Sequence, residues 1–132
     1  MKRMVFVLAA MVGLTFLAAA AGAEGATSGE RYRDPSQLSR LVETGKPAYI
    51  LVDVRTPEEF AAGHIPTAVN IPVTDIANRP PTKDKNALIV VYCRTGNRSA
   101  KAKTALEGLG YTGVVDFGGI SRWTGSLTEK NE

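Results

Sequence analysis

The chain has 132 residues, with 16 Lys and Arg against 13 Asp and Glu, one histidine and one cysteine. That length leaves room for one domain, and a lone cysteine excludes an internal disulfide framework. The formal net charge of +3 carries no nucleic-acid footprint, because two of the basic residues lie in the first 23 and a chain cut there keeps 14 basic against 13 acidic side chains.

Lys2 and Arg3 precede an apolar core from Val5 to Leu17, and Ala21-Gly22-Ala23 stands before Glu24. This is the pattern of a secretory signal peptide over residues 1–23, with an uncleaved membrane anchor as the alternative. Residues 24–33 are small and polar and read as a flexible lead-in. A folded domain is expected over 34–127, followed by a tail at 128–132.

Asp34-Pro35-Ser36-Gln37 offers an N-cap, a proline at the first helical position and a Gln at N3. It predicts a helix with Leu38, Leu41 and Val42 as its apolar stripe, stopping near Gly45. Tyr49-Ile50-Leu51-Val52 is an apolar strand running into Asp53-Val54-Arg55. Thr56-Pro57-Glu58-Glu59 repeats the capping pattern, which predicts a short helix through Phe60 that closes at Gly63. Capping and the helix dipole account for both glutamates. Ala68 to Ile71 reads as a short strand, Thr74 to Ala77 as one helical turn, and Arg79 to Lys85 as a surface connection.

Ala87 to Tyr92 is rich in β-branched residues and reads as a strand covered on both faces, with Cys93 at its end. Beyond it Ala102, Ala105, Leu106 and Leu109 recur at the spacing of one helical face, and Gly110 stands where a left-handed cap ends the helix. Val114 to Phe117 is a further strand, leading into Gly118-Gly119, and Trp123 falls in a final helical turn. Apolar strands alternating with helices imply an α/β fold with a parallel sheet covered on both sides. Asp53, Cys93 and Asp116 then share the rim at the carboxyl ends of the strands, where such folds place their sites.

A cysteine between a strand and a helix start meets unpaired N–H groups and the positive end of the macrodipole. Both favour an anion, either the thiolate or the group it attacks. A free thiol titrates near ~8.5, and a helix N-terminus with neighbouring Arg94 and Arg98 lowers that. Gly96 lets several amides converge on one sulfur. The alternative is an inert, buried Cys93. In an exported chain without a second cysteine, any sulfur adduct on Cys93 must be discharged by an outside acceptor. Asn97-Arg98-Ser99 is also a glycosylation acceptor sequence, and a glycan there blocks the loop, which favours a bacterial periplasmic or secreted location.

Asp53-Val54-Arg55, Glu59-Phe60, Gly63-His64-Ile65-Pro66, the Cys93 to Ser99 loop, and Gly118-Gly119 with Trp123 together resemble the successive motifs of a single-domain rhodanese, a thiosulfate sulfurtransferase, of exported bacterial type. The resemblance spans roughly Asp34 to Trp123. It implies a rhodanese-like five-stranded parallel sheet flanked by helices on both faces, and a ping-pong reaction through a persulfide on Cys93. Thr67 departs from the family, which has glycine there, and a β-branched residue is strained wherever φ is positive.

On this reading Cys93 is the nucleophile, and Arg94, Thr95, Gly96, Asn97 and Arg98 bind the substrate. Arg94 attracts the donor, while Arg98 is divided between that role and a clamp to an acidic residue. Asp53, Arg55 and Ser99 support the site; His64 is a turn residue and Trp123 a packing residue. No metal, nucleotide, flavin or other cofactor is called for. The partners are a small thiosulfate-like donor and a thiophilic acceptor, a protein acceptor included, with no nucleic acid and no stable membrane association after signal cleavage. The alternatives are a non-catalytic sulfur-relay module, or a cysteine phosphatase or arsenate reductase, whose loop is one residue longer than the four residues between Cys93 and Arg98. A thiol redox protein is disfavoured because there is no C-x-x-C pair.

Overall fold

In the computed structural model of the chain, residues 29–129 are described. The signal-peptide reading of residues 1–23 lies outside them. The elements run from a 3-10 turn at Arg31–Arg33 through α1 (Pro35–Thr44), β1 (Ile50–Asp53), α2 (Pro57–Ala62), β2 (Val69–Asn70), β3 (Ile89–Cys93), α3 (Asn97–Gly108) and β4 (Val114–Gly119) to a second 3-10 turn at Ile120–Arg122. The strands lie in the order β2-β1-β3-β4, every neighbouring pair parallel.

Local chemistry sets the helix ends. Asp34 caps α1 by accepting from the backbone N–H of Ser36 at 2.8 Å and of Gln37 at 3.3 Å, and Gly45 closes it at φ 66°. Thr56 and Glu59 form a reciprocal capping box on α2. Alternation along the strands then divides the core. Leu51, Val90, Tyr92, Val115 and Phe117 point to one side and pack with Leu38 and Leu41 of α1. Val52, Ile89, Val91, Cys93 and Val114 point to the other and pack with Ala102 and Leu106 of α3. Cys93 is therefore directed at the helix that follows it. Leu109, expected on the buried stripe of α3, is exposed, because the helix ends one residue before it.

Three expectations are corrected. The sheet has four strands among the described residues, not the five that the resemblance implied. The turn Arg31–Arg33 packs against β4 instead, with Tyr32 buried. Asp34 N–H closes this turn on the Arg31 carbonyl at 3.0 Å and α1 starts at Pro35, which leaves too little extended chain for a strand. The end of the supposed flexible lead-in is thus part of the packed domain. The tail is tied as well: Thr128 and His64 exchange two backbone hydrogen bonds, at 2.9 and 2.8 Å.

Candidate active site

Cys93 is the last residue of β3, and its side chain is fully buried. Hydrocarbon lines it on the α3 side, while the loop supplies polar contacts: the Gly96 N–H donates to Sγ at 3.0 Å, and the Ser99 hydroxyl lies 3.4 Å from it. Gly96 can make this turn because it holds φ 101°, the left-handed region. Burial works against the thiolate, but the Ser99 hydroxyl and the N–H groups of Ser99, Gly96 and Thr95 outweigh it, and the thiol titrates below its ordinary value. In this arrangement the Ser99 hydroxyl donates to the Gly96 carbonyl at 3.1 Å. To solvate a thiolate it rotates its proton toward sulfur.

Around the sulfur, Arg94, Thr95 and Asn97 are exposed on the rim. Arg94 forms no ion pair among the described residues, so it is a free cation at the mouth of the loop. Arg98 is engaged. Its Nη1 and Nη2 donate to the two carboxylate oxygens of Glu59 at 2.7 and 3.0 Å, a bidentate pair that fixes the loop to α2. The Arg98 bonds hold the Glu59 carboxyl at about 2, well below its ordinary range, and the Arg98 guanidinium is raised in turn.

Asp53 and Arg55 pair with each other rather than with the cysteine loop. Arg55 Nη2 donates to Asp53 Oδ2 at 2.6 Å, and the same nitrogen donates to the Gly63 carbonyl at 2.6 Å. Asp53 is fully buried and the Arg55 side chain is 8% exposed, so the bonds stand in for lost water. Burial disfavours the Arg55 charge, and the Asp53 carboxylate more than restores it. Burial, reinforced by the same carboxylate, raises the Tyr92 hydroxyl, which accepts from the Ile65 N–H at 3.0 Å. This network fixes the segment after α2, and through α2 it supports Glu59.

His64 donates from Nδ1 to the Phe60 carbonyl at 2.8 Å and stacks on the Phe60 ring. It is not the turn residue expected but a bridge residue, its backbone paired with Thr128 and the turn falling at Pro66 and Thr67. Trp123 packs with the α1-side core and donates its indole N–H to the Ser126 carbonyl at 3.2 Å. Asp116 does not end its strand: β4 continues to Gly119, with a bulge opposite the Val91–Tyr92 step. A cavity of about 1140 Å³ opens at the far end of the sheet, lined by the starts of β1 and β4 with Tyr32, Tyr49 and Tyr111. None of the loop residues borders it. No group of three or more His, Cys, Asp or Glu is placed to hold a metal among the described residues.

The sequence reading names two further residues, Glu59 and Gly119, but misses their contacts with the loop. Glu59 is explained by its cap alone until the fold brings Arg98 to it, and nothing local links them. Gly119 touches the loop backbone, a closeness that no spacing rule exposes.

A family model described as a Rhodanese-like domain matches residues 34–126. The chain is 41% identical over 71 residues to Thiosulfate sulfurtransferase PspE of Escherichia coli, covering 52% of this chain and 68% of that one. It is 43% identical over 92 residues to a sulfurtransferase of Allochromatium vinosum, covering 68% and 84%. The solved rhodanese-like domain protein from Staphylococcus aureus superposes with a TM-score of 0.63 at 36% identity, covering 74% of this chain and 95% of its own. The matched span takes in nearly all of the folded domain, the cysteine loop included, and the chain belongs to the rhodanese-like family of sulfurtransferases.

Proposed function

We propose that Cys93 carries the transferred sulfur and that thiosulfate, or a donor of the same shape and charge, loads it. The Cys93 thiolate attacks the outer sulfur of the donor, a new S–S bond forms, and the donor's own S–S bond breaks with its electron pair leaving on sulfite. The Cys93 persulfide anion then loses its outer sulfur to cyanide as thiocyanate, or to a thiol acceptor as a new persulfide, and the thiolate returns. Charge balances in each step, and no oxidant or reductant is consumed.

The observation that carries this reading is the Gly96 N–H held 3.0 Å from Sγ, in a loop whose Arg94 is exposed and forms no ion pair among the described residues. The amides of Thr95, Gly96 and Ser99 stabilise the thiolate and then the persulfide anion. Arg94 attracts the dianionic donor, with Thr95 and Asn97 beside it on the rim. Arg98 spends its fork on Glu59 and acts as the clamp. Since Sγ is fully covered, a donor reaches it only when the loop parts or the thiol swings out. Asp53 and Arg55 act as scaffold.

Intact mass spectrometry before and after thiosulfate treatment tests the reading. Gain of one sulfur by the parent and none by Cys93→Ala supports it; release of phenol from an aryl phosphate with no sulfur uptake defeats it. Export follows from the signal-like residues 1–23, and N-terminal sequencing of the mature chain should begin at Glu24. No helix among the described residues is long and apolar enough to cross a membrane.

A further inference from the structure

The end of β4 is built to leave a space. The β3–β4 register runs regularly to Val91 opposite Asp116, then shifts so that Tyr92 faces Gly118 and Cys93 faces Gly119. The shift is a bulge, and a bulge leaves one residue of the ladder unpaired. Here Phe117 is the residue without a partner, and Asp116 Oδ1 accepts from the neighbouring Gly118 N–H at 2.9 Å. The bulge thereby sets Gly119 directly beside the cysteine loop. A Cβ built on Gly119 meets the Arg94 carbonyl oxygen at 2.7 Å and the Thr95 Cα at 3.3 Å, both of them main-chain atoms with no side-chain freedom to yield.

Gly119 has no conformational need to be glycine, since its φ of −83° and ψ of 144° suit any residue. What it supplies is room. Arg94 and Thr95 are the link between Cys93 and Gly96, so whatever displaces them displaces the amide on the sulfur. We infer that Gly119 is a positioning residue for Cys93: its bare Cα is the wall on which Arg94 and Thr95 rest, and this seat holds the Gly96 N–H against Sγ. Asp116 acts one step further back, by fixing the bulge that places Gly119.

The inference rests on the sulfurtransferase reading only for its link to turnover, because the thiol can be read with no sulfur donor present. The assay is the pH dependence of Cys93 alkylation by iodoacetamide in the full chain, alongside thermal unfolding. Gly119→Ala should raise the midpoint by about one pH unit, which is roughly a tenfold loss of thiolate below it, while unfolding stays cooperative. Thiosulfate turnover at neutral pH should fall by a comparable factor. Gly45→Ala is the control: it sits at φ 66° with nothing within 4 Å of its Cβ, so it costs stability at the end of α1, and its midpoint should stay at the parent value.

A folded Gly119→Ala with the parent midpoint overturns the inference, as does a Gly45→Ala that shifts it equally. Should Gly119→Ala fail to fold, Asp116→Ala decides instead. It withdraws the acceptor of the Gly118 N–H without adding an atom, and should raise the midpoint by a smaller amount; an unmoved midpoint there also overturns the inference. A shifted midpoint with no sulfur uptake by the parent chain would sink the proposed reaction and leave the positioning role standing.

Discussion

Glu59→Gln isolates the charge in the Arg98 clamp. The side chain keeps its size, and a glutamine three residues after Thr56 still serves the capping box of α2. What disappears is the charge-assisted part of a bidentate pair whose side chains are 28% and 32% exposed. Water screens such a pair, so its contribution is about 1 kcal/mol and not the several that a dry pair carries. In a domain of about 100 residues this lowers the melting temperature by roughly 4–8 °C. The dependence on pH has a definite sign. Because Arg98 bonds it, Glu59 titrates at about 2 in the fold against an ordinary 4.5. A carboxyl depressed by folding stabilises fully above its unfolded value and loses that contribution as acid carries the pH down through the folded one. The gap in melting temperature between the parent and Glu59→Gln should therefore stay constant above about pH 5 and close as the pH approaches about 2. A double-mutant cycle with Arg98→Met should return a coupling of about 1 kcal/mol. Strictly additive effects, or a gap undiminished near pH 2, would refute the clamp.

Ser99→Ala removes the hydroxyl beside Sγ, and loss of one hydrogen bond to a charged group should raise the alkylation midpoint of Cys93 by roughly one pH unit; an unchanged midpoint means the amides suffice alone. Arg94→Gln should raise the thiosulfate KM several-fold with kcat little changed, and should flatten the dependence of kcat/KM on salt, because an exposed cation acts by screened attraction. A fall in kcat at constant KM would place Arg94 in the chemical step instead. Thr67 stands at φ 75°, the one non-glycine residue with positive φ among those described, and its hydroxyl pairs with that of Tyr49 at 2.8 Å. Relief of strain worth about 1–2 kcal/mol, set against the added freedom of glycine in the unfolded chain, should leave Thr67→Gly more stable by about 0.5 kcal/mol. A lower urea midpoint would show that the hydroxyl pair outweighs the strain.

Elements whose causes are local were legible in the sequence. The caps at Asp34 and Thr56 and the helix stop at Gly45 depend on neighbours a few residues away, and the structure forms all three as read. The β-branched run into Cys93 needs covering on both faces, which fixes both a central strand and the direction of the cysteine. The illegible parts are those that only tertiary approach creates. A clamp to an acidic residue is one of two roles the sequence offers Arg98, but Glu59 has a sufficient local explanation, and only the packing of α2 beside the loop brings the two together. Asp53 and Arg55 are expected only to support the site, and the closeness of the two side chains past the end of β1 makes them partners of each other. The bulge in β4 escaped because a register is a property of two strands, and one strand's sequence does not state it. The strand count failed for a similar reason: Asp34 and Pro35 start α1 at once, which converts the residues before them into a turn.

The double duty of Glu59 couples two segments in time as well as in space. A helix of six residues is too short to persist on its own, and α2 lasts because its first turn is fastened through Glu59 to the loop while the Gly63 carbonyl at its far end is fastened to Arg55. Release of Arg98 removes a tie from the loop and from α2 together, so the two should open as one unit, with amide protons that exchange at a common rate. The exposure of the sulfur to solvent should thereby depend on a helix that contributes none of the sulfur's own hydrogen bonds.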